Sequence, residues 1–347
     1  MEKFNSEEVL ADFKNWQKTL KKYQVPSYRQ AVIQITNSFG FFVALWALQF
    51  YLFDISVWFV VLLALLNGLI LGRIFIIQHD CGHHSFTRNR IANAIIGTTC
   101  SVATFIPFKY WAKNHDYHHA HNGQLEVSDI GDVHCMTTEE YSKLSLGKKI
   151  YYRVYRSPFY LFTIGGFVYV VLYNRFALMR KGGFAKVKWN VLASNILFIA
   201  LYAGLGYLLG VKKFLAVQFI NLFFFGIYAL WFFYIQHQYE HIYKSGKEKW
   251  NYVLSAVKGS TYYKLPHIGH WLTGNIGFHH IHHLCPTIPN YNLRKAHKEN
   301  PVFEKHVNKL TFWQSLKTVN ANLWDEQRQK MVSFSEYKRN KRLAKAA

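Results

Sequence analysis

The sequence predicts an all-α integral membrane protein in which four transmembrane helices form two hairpins. The first observation is hydropathy, because four stretches of about 20 or more residues could cross a hydrocarbon core of roughly 30 Å. These stretches cover residues 31–53, 55–77, 191–211 and 214–235. The second observation is the short spacing within each pair, and the third is the long polar region that follows it. These regions, approximately 78–190 and 236–347, predict a cytoplasmic helical cap.

The distribution of basic residues predicts the orientation of the hairpins. The chain has 41 Lys and Arg residues and a formal net charge of +22. The turn within each hairpin lies on the far side of the membrane. The first turn is built around Asp54, and the second contains Lys212 and Lys213, the only basic residues in either turn. Because basic residues stay on the cytoplasmic side, we expect the cap to face the cytoplasm of a bacterial cell membrane. The charge also suits anionic membrane lipids, so nucleic acid is not an expected partner.

Two further apolar stretches, 91–108 and 158–174, are short for a membrane span. If either crossed alone, histidine-rich segments that follow the first and second hairpins would lie on opposite sides of the membrane. We therefore expect both stretches to be re-entrant or in-plane segments, bounded by Pro107 and Pro158. Residues 1–347 are then a single membrane domain.

The remaining composition points to an intracellular, unprocessed chain. The first thirty residues are polar and mixed in charge, so no cleavable signal peptide is expected. The cysteines have no CxxC spacing, which predicts reduced thiols. They are Cys81, Cys100, Cys135 and Cys285.

Eighteen histidines are present, and most of them cluster after the apolar stretches. His79 and His83 are four residues apart, and two later groups have the spacing i, i+3, i+4, which places three side chains on one helix face. Those groups are His115, His118 and His119, and His279, His282 and His283. A lone histidine is more often a hydrogen-bonded structural residue, but two triples and a pair in one chain predict metal binding.

Other histidines lie close by in the sequence, and their position relative to the shared helix faces decides whether they join these sets. His84 and His280 are one residue off the shared faces and are interpreted as neighbours, whereas His121 lies three residues after His118 and stays open as a ligand. Imidazole suits iron, copper, zinc or nickel, so ligand type alone does not select the metal. A single zinc ion needs about four ligands, fewer than the sequence offers.

The three groups stand in the motifs HDCGHHS, HDYHH and HHIHH, and two longer segments accompany them. These are FYIQHQYEH at 233–241 and WLTGNIGFHHIHHLCPTIPNYNL at 271–293. Together they resemble the membrane fatty acid desaturases, in particular the bacterial acyl-lipid branch related to the omega-6 (delta-12-like) type. Within that branch the chain is similar to the Bacillus type that acts at the delta-5 position of phospholipids.

The resemblance implies a centre of two non-haem irons with dioxygen as co-substrate, in which acyl chains of lipids lose two hydrogens from adjacent methylenes. It carries the ligand role onto the histidines of the three groups and adds His237, just after the fourth stretch. The implied ligands are His79, His83, His115, His118, His119, His237, His279, His282 and His283. No haem, flavin, nicotinamide or iron–sulfur motif is present, so we expect a separate donor: a ferredoxin, a flavodoxin or a cytochrome.

Several polar residues are candidates for orienting the imidazoles by accepting the second ring N–H. Asp80 and Asp116 each follow the first histidine of a motif, and for both a helix-capping role is an equal alternative. The other candidates are Asp129, Asp132, Glu240 and Asn275.

Two other functions stay open at this point. A di-iron hydroxylase of the alkane, sterol or carotenoid type would begin with the same hydrogen abstraction, so the motifs do not separate it from a desaturase. A metal transporter would instead place polar ligands along the spans, whereas these histidines lie at the span ends. The double-bond position, the acyl carrier and the oligomeric state do not follow from the sequence.

Overall fold

A computed structural model describes residues 4–127, 133–177 and 187–346, and most of these residues are helical. The α-helices are α1 Ser6–Asp12, α2 Trp16–Leu20, α3 Tyr28–Leu52, α4 Val57–Gly82, α5 Arg90–Thr104, α6 Phe108–His121, α7 Thr138–Lys143, α8 Leu146–Tyr155, α9 Gly166–Val171, α10 Lys188–Leu209, α11 Val211–His237, α12 Tyr252–Lys258, α13 His267–Leu272, α14 His279–Leu284, α15 Asn290–Lys298, α16 Val302–His306, α17 Phe312–Thr318 and α18 Phe334–Ala346. A π-helical segment, Tyr160–Gly165, leads directly into α9.

Among the residues that the structure describes, four helices are long and apolar enough to cross a membrane, as predicted: α3, α4, α10 and α11. Ser27 and Ser56 cap α3 and α4 by accepting backbone N–H bonds. Gly210, at φ +87°, makes the tight turn between α10 and α11 because its positive φ favours glycine. The four helices therefore form the two predicted hairpins.

The helix ends differ from the predicted boundaries in a way that matters for the site. Helix α4 continues to Gly82 and α11 to His237, beyond the predicted ends at 77 and 235. The apolar pattern stops earlier than the helix because the last turn of each faces other polar side chains in the interior. His79 and His237 consequently lie on the helices themselves and not on the segments after them.

Polar contacts join the two hairpins both at their turns and inside the bundle. At the turns, Lys213 Nζ lies 2.6 Å from Asp54 Oδ2. Inside the bundle, the amides of Gln49 and Asn221 exchange hydrogen bonds of 3.1 and 2.8 Å between α3 and α11. Such a reciprocal pair satisfies polar groups that would be costly to leave unpaired in a membrane. We call the opposite end, which carries His79 and His237, the histidine end.

The two shorter apolar stretches fold back on themselves. Helices α5 and α6 meet at an angle of 99°, and the chain between them reaches α4 at Gln78, whose Nε2 donates to Ile106 O at 3.1 Å. Helix α8 and residues 160–175 meet at 66°. Arg175 Nη1 then donates to Asn195 Oδ1 at 2.9 Å, two turns into α10. Both excursions return to the histidine end, in agreement with the predicted re-entrant or in-plane segments.

A buried arginine fixes the segment that precedes the third histidine group. Arg73, 5% exposed, donates to Ser38 Oγ at 3.0 Å and to Trp271 O. Its guanidinium also lies 4.3 Å from the centre of the Trp271 ring. A charge inside a span is costly, and these contacts tie α13 to α3 and α4.

Within the described ranges, four three-residue strands, which the sequence did not predict, complete the histidine end. Strands β1 (Thr261–Tyr263) and β2 (Asn308–Leu310) pair in parallel, with Thr261 opposite Asn308. Strands β3 (Leu323–Asp325) and β4 (Lys330–Val332) form an antiparallel hairpin. All four cysteines are buried and free, as expected of reduced thiols.

Candidate metal centre

Four helices bring the clustered histidines to one place at the histidine end. His79 and His83 come from the last turn and C-cap of α4, where His83 N donates to His79 O at 3.2 Å. Helix α6 presents one triple and the short helix α14 the other, because i, i+3 and i+4 side chains share a helix face. His237 is the last residue of α11.

The histidines fall into two groups that could each hold a metal ion, and within each group one ligand atom per residue lies within 4.8 Å of the others. Group A comprises His79, His83, His115, His119 and His282. Group B comprises His118, His237, His279 and His283. Helices α6 and α14 each contribute to both groups. The structure thus brings together the nine histidines that the resemblance implied.

Within each group, several Nε2 atoms lie in van der Waals contact with one another. In group A, His119 Nε2 lies 3.0 Å from His115 Nε2 and 2.9 Å from His282 Nε2. In group B, His237 Nε2 lies 3.2 Å from His118 Nε2 and 2.9 Å from His279 Nε2. His283 Nε2 completes the group at 3.0 Å from His279 Nε2. One imidazole carries one proton, so hydrogen bonds alone cannot satisfy so many converging nitrogens.

The spacing fits ligands that share a cation. Two nitrogens about 2.1 Å from a metal lie about 3.0 Å apart at a right angle and about 3.4 Å apart at the tetrahedral angle. The distances of 2.9 to 3.2 Å therefore fit nitrogens that share one cation. Five imidazoles in group A also exceed a tetrahedral zinc site.

Two members of group A leave a buried ring nitrogen for a metal. Among the described residues, Nε2 of His79 and Nε2 of His83 have no hydrogen-bond partner. The other ring nitrogen of His79 lies 2.9 Å from Asp80 Oδ1, and that of His83 lies 3.6 Å from Asp116 Oδ1. Asp80 is held in turn by Asn290, whose backbone N–H and side-chain amide donate at 2.6 and 2.8 Å. Asp80 thus turns Nε2 of His79 toward the group, whereas Asp116 lies beyond hydrogen-bond distance of His83.

His237 is held by the backbone. Its Nδ1 lies 3.1 Å from Gly259 O, so Nδ1 carries the proton and Nε2 is directed at the centre of group B. Fixing the second ring nitrogen in this way is usual for metal-bound histidines. The spacing of an isolated histidine predicts no such position, and only the resemblance indicated it.

Burial keeps the imidazoles of α14 neutral. It lowers the pKa of His279, His282 and His283 well below the usual range, and the neighbouring histidines add to the effect. A neutral imidazole has the lone pair that a metal requires. The donor set is therefore ready for a cation at neutral pH.

The histidines outside the two groups have other partners. His280 is buried, but its Nε2 lies 3.2 Å from His297 Nδ1, and His297 Nε2 lies 2.7 Å from Glu304 Oε1. His121 Nδ1 lies 2.8 Å from Tyr117 O. His84 is exposed at the end of α4.

Two of the residues predicted to orient imidazoles lie elsewhere. Glu240 has an exposed carboxylate that binds Lys330 Nζ at 3.0 Å, because the chain leaves the interior after α11. Asn275 is a turn residue at φ 58°, where its backbone N–H donates to His270 O. Asp129 and Asp132 lie outside the described residues.

The profile of fatty acid desaturases matches residues 56–314 of the chain. The chain belongs to the fatty acid desaturase family. A fatty acid desaturase of Bacillus subtilis is 37% identical over 321 residues, which cover 92% of this chain and 90% of that protein. The predicted resemblance and the class of enzyme, an oxidoreductase, are confirmed.

Two relatives with a more specific name are less similar. An sn-1 oleoyl-lipid 12-desaturase of Synechocystis is 28% identical over 244 residues, 67% of each chain. An sn-1 acyl-lipid omega-3 desaturase (ferredoxin) of Nostoc is 26% identical over 274 residues, 73% of this chain and 71% of that protein.

A cavity of about 420 Å³ in the desaturase extends from the histidines into the bundle. His79, His115 and His279 form one wall. Apolar residues of α4, α9 and α11 form a large part of the rest. The volume lies within the range of small-molecule sites, about 300–1,000 Å³.

Sequence reasoning missed the polar residues around this cavity, among them Asn114, His134 and Gln236. It also missed Asn290, which holds Asp80 from a distance of 210 positions along the chain. None of them stands in a periodic pattern with the histidines, so only the fold brings them to the site. The NYNL end of the segment 271–293, which includes Asn290, was the one signal present.

Proposed function

We propose that this desaturase holds two non-haem irons, one in each histidine group, and forms a double bond in the acyl chain of a membrane lipid. When bound, the irons supply the dioxygen-dependent oxidation. The overall reaction removes two hydrogens from adjacent methylenes, takes up two electrons and two protons, and converts dioxygen into two waters. The nine histidines of groups A and B are the proposed ligands.

The observation that carries the proposal is the contact between the apolar cavity and both groups. His79 and His115 of group A and His279 of group B line the cavity together. Trp111 lines it as well and stacks on His115, with ring centres 4.6 Å apart. An apolar chain in this cavity would lie beside both groups, and its packing would exclude water from the reacting carbons.

A lipid-linked acyl chain is the proposed substrate. The cavity lies between membrane-spanning helices, and several relatives are named for oleoyl-lipid or acyl-lipid substrates. We propose that the chain acts as one domain in the bacterial cell membrane with the histidine end in the cytoplasm, since nearly all basic residues lie on that side.

Electrons would come from a separate carrier. The Nostoc relative is named for ferredoxin, and the net charge of +22 would attract an acidic protein of that kind. A flavodoxin or a cytochrome would serve the same role through the same charge complementarity.

The test is expression in a host whose lipids carry only saturated chains, together with a ferredoxin and its reductase. Mass spectrometry of the acyl chains should show products that have lost two hydrogens, and fragmentation should give the position of the double bond. His118→Ala, in group B, is the matched variant and should give no product and less bound iron.

Two results would contradict the proposal. Products that gain an oxygen atom without losing hydrogens would assign the centre to hydroxylation. Unchanged lipids, with the donor present and the iron bound, would exclude an acyl-lipid substrate.

A further inference from the structure

One stripe of α4 follows the cavity from the histidines into the bundle. Its members are Leu69, Gly72, Phe75, Ile76 and His79. An α-helix rises 1.5 Å per residue, so Gly72 lies about 10.5 Å and Leu69 about 15 Å from the level of His79. The stripe therefore measures depth in the cavity from the proposed metal centre.

Gly72 differs from the other glycines that line the cavity. A Cβ atom on Gly226 would lie 2.7 Å from the backbone of Gly166, and one on Gly165 would lie 3.2 Å from Tyr160 O. A Cβ on Gly72 would meet nothing within 4 Å. Helix packing therefore requires no glycine at this position, and a side chain there would enter the cavity.

A glycine inside a helix is costly, by about 1 kcal/mol relative to alanine. At Gly226 the close approach of a second backbone explains the residue. At Gly72 a Cβ would meet nothing within 4 Å, and the residue lines the cavity, so the glycine leaves room inside the cavity. That room lies well below the histidines, where it cannot affect the ligands directly.

Polar residues line part of the cavity, among them His134, Tyr155 and Tyr160. The helix that begins at Tyr160 packs near the histidine end of α11, where the rings of Phe162 and Trp231 are 5.0 Å apart. Leu69 of α4 and Phe225 of α11 line the cavity farther from that end. An acyl chain would therefore place its methyl end at Leu69 and its ester near the polar residues.

We propose that Gly72 sets how many acyl carbons the cavity accepts between the reacting carbons and the methyl end. This inference rests on the proposed desaturase function and adds a residue that determines its specificity. With glycine, the chain extends past this level to Leu69. A larger side chain would stop it about 4.5 Å earlier, by the rise of three helical residues. Each methylene adds about 1.25 Å to an extended chain, so the loss is three to four carbons, roughly.

The test compares the wild-type enzyme with Gly72→Leu on lipids that carry myristoyl, palmitoyl or stearoyl chains. We expect conversion of stearoyl relative to myristoyl chains to fall at least about tenfold, as when a pocket lacks room for a methylene. Where a long chain still reacts, its double bond should move toward the methyl end. Gly72→Ala should give a smaller effect of the same kind.

Binding provides a readout that does not require turnover. The rise in unfolding temperature caused by stearoyl lysophospholipid should shrink in Gly72→Leu, whereas the rise caused by the myristoyl form should persist. Gly204→Leu is the matched control, because Gly204 lies within span α10, has nothing within 4 Å of its Cβ, and does not line the cavity. Its chain-length profile should equal that of the wild type.

The outcomes separate this inference from the proposed function. A wild-type enzyme that acts on no acyl lipid refutes the proposed function. An active wild type whose profile and double-bond position are unchanged by Gly72→Leu refutes the role of Gly72. Equal loss for all three chain lengths, in a variant that keeps its metal content and unfolding temperature, refutes that role as well.

Discussion

Some histidines of the two groups are oriented by a contact to their second ring nitrogen. Asp80 Oδ1 holds one ring nitrogen of His79 at 2.9 Å, and Gly259 O holds one of His237 at 3.1 Å. These contacts leave Nε2 directed at the group. His280, one residue off the shared face of α14, instead contacts His297. Helix face and ring orientation together therefore decide which histidines belong to the centre.

The neighbours His280 and His283 test this conclusion within one turn of α14. His283→Asn removes a nitrogen that lies 3.0 Å from His279 Nε2, and we expect iron affinity to fall by about tenfold or more. His280→Asn changes a ring that contacts His297, so iron content should stay at the wild-type value. Elemental analysis of purified protein measures both. Equal iron loss in the two variants would show that the face of α14 on which a histidine lies does not decide whether it binds iron.

At the scale of single residues, the sequence predicted the positions that helical periodicity determines. The two triples follow from i, i+3, i+4 spacing, and the structure brings them together. His237 has no periodic partner, and Glu240 lies only three residues later but on a loop that leaves the interior. Spacing along the chain carries no information about such loops, so the residues that orient the rings were predicted less well than the rings.

At the scale of elements, the wall of the cavity depends on one close helix crossing. Helix α9 meets α11 at Gly166 and Gly226, and a Cβ on Gly166 would lie 2.4 Å from Gly226 O. The crossing lets a re-entrant segment lie flat against a membrane-spanning helix. The π-helical turn at Tyr160–Gly165 precedes it, and such turns are frequent at functional sites.

Gly226→Leu should therefore separate the two helices. Overpacking of this kind costs about 1–3 kcal/mol, and a backbone neighbour has little freedom to move. The unfolding temperature in detergent should fall, and Gly40→Leu is the control, because the Cβ of that glycine in α3 meets nothing within 4 Å. A Gly226→Leu protein as stable as the control would show that the crossing is not rigid.

The spans were predictable because hydropathy and length are local properties. Their ends were not, since α4 and α11 continue for several polar residues to reach the histidine groups. The short strands were missed for a related reason. Three-residue segments such as Thr261–Tyr263 have no period to detect, and their pairing with Asn308–Leu310 is a property of the fold.

At the scale of the whole molecule, the centre joins segments from distant parts of the chain. Groups A and B draw on α4, α6, α11 and α14, which begin at residues as far apart as Val57 and His279. Converging lone pairs repel one another without a cation. Bound metal should therefore stabilise the entire fold and not only the site.

Removing the metal tests this coupling. A strong chelator should lower the unfolding temperature, and ferrous iron should restore it. The gain in free energy of unfolding should be about 2.7 kcal/mol for each site when free metal is about 100 times Kd. Calcium, which prefers oxygen ligands, is the control and should restore nothing. An unfolding temperature that is independent of iron would mean that the histidine groups are held together by packing alone.

The sharing of α6 and α14 between the two groups has a consequence for how the protein acquires its metals. His119 of group A stacks on His283 of group B, with ring centres 4.1 Å apart. With one iron in each group, as proposed, the first ion would fix both helices, and the second would find its ligands in place and lose less freedom on binding. We then expect chains that hold a single iron to be a minor species.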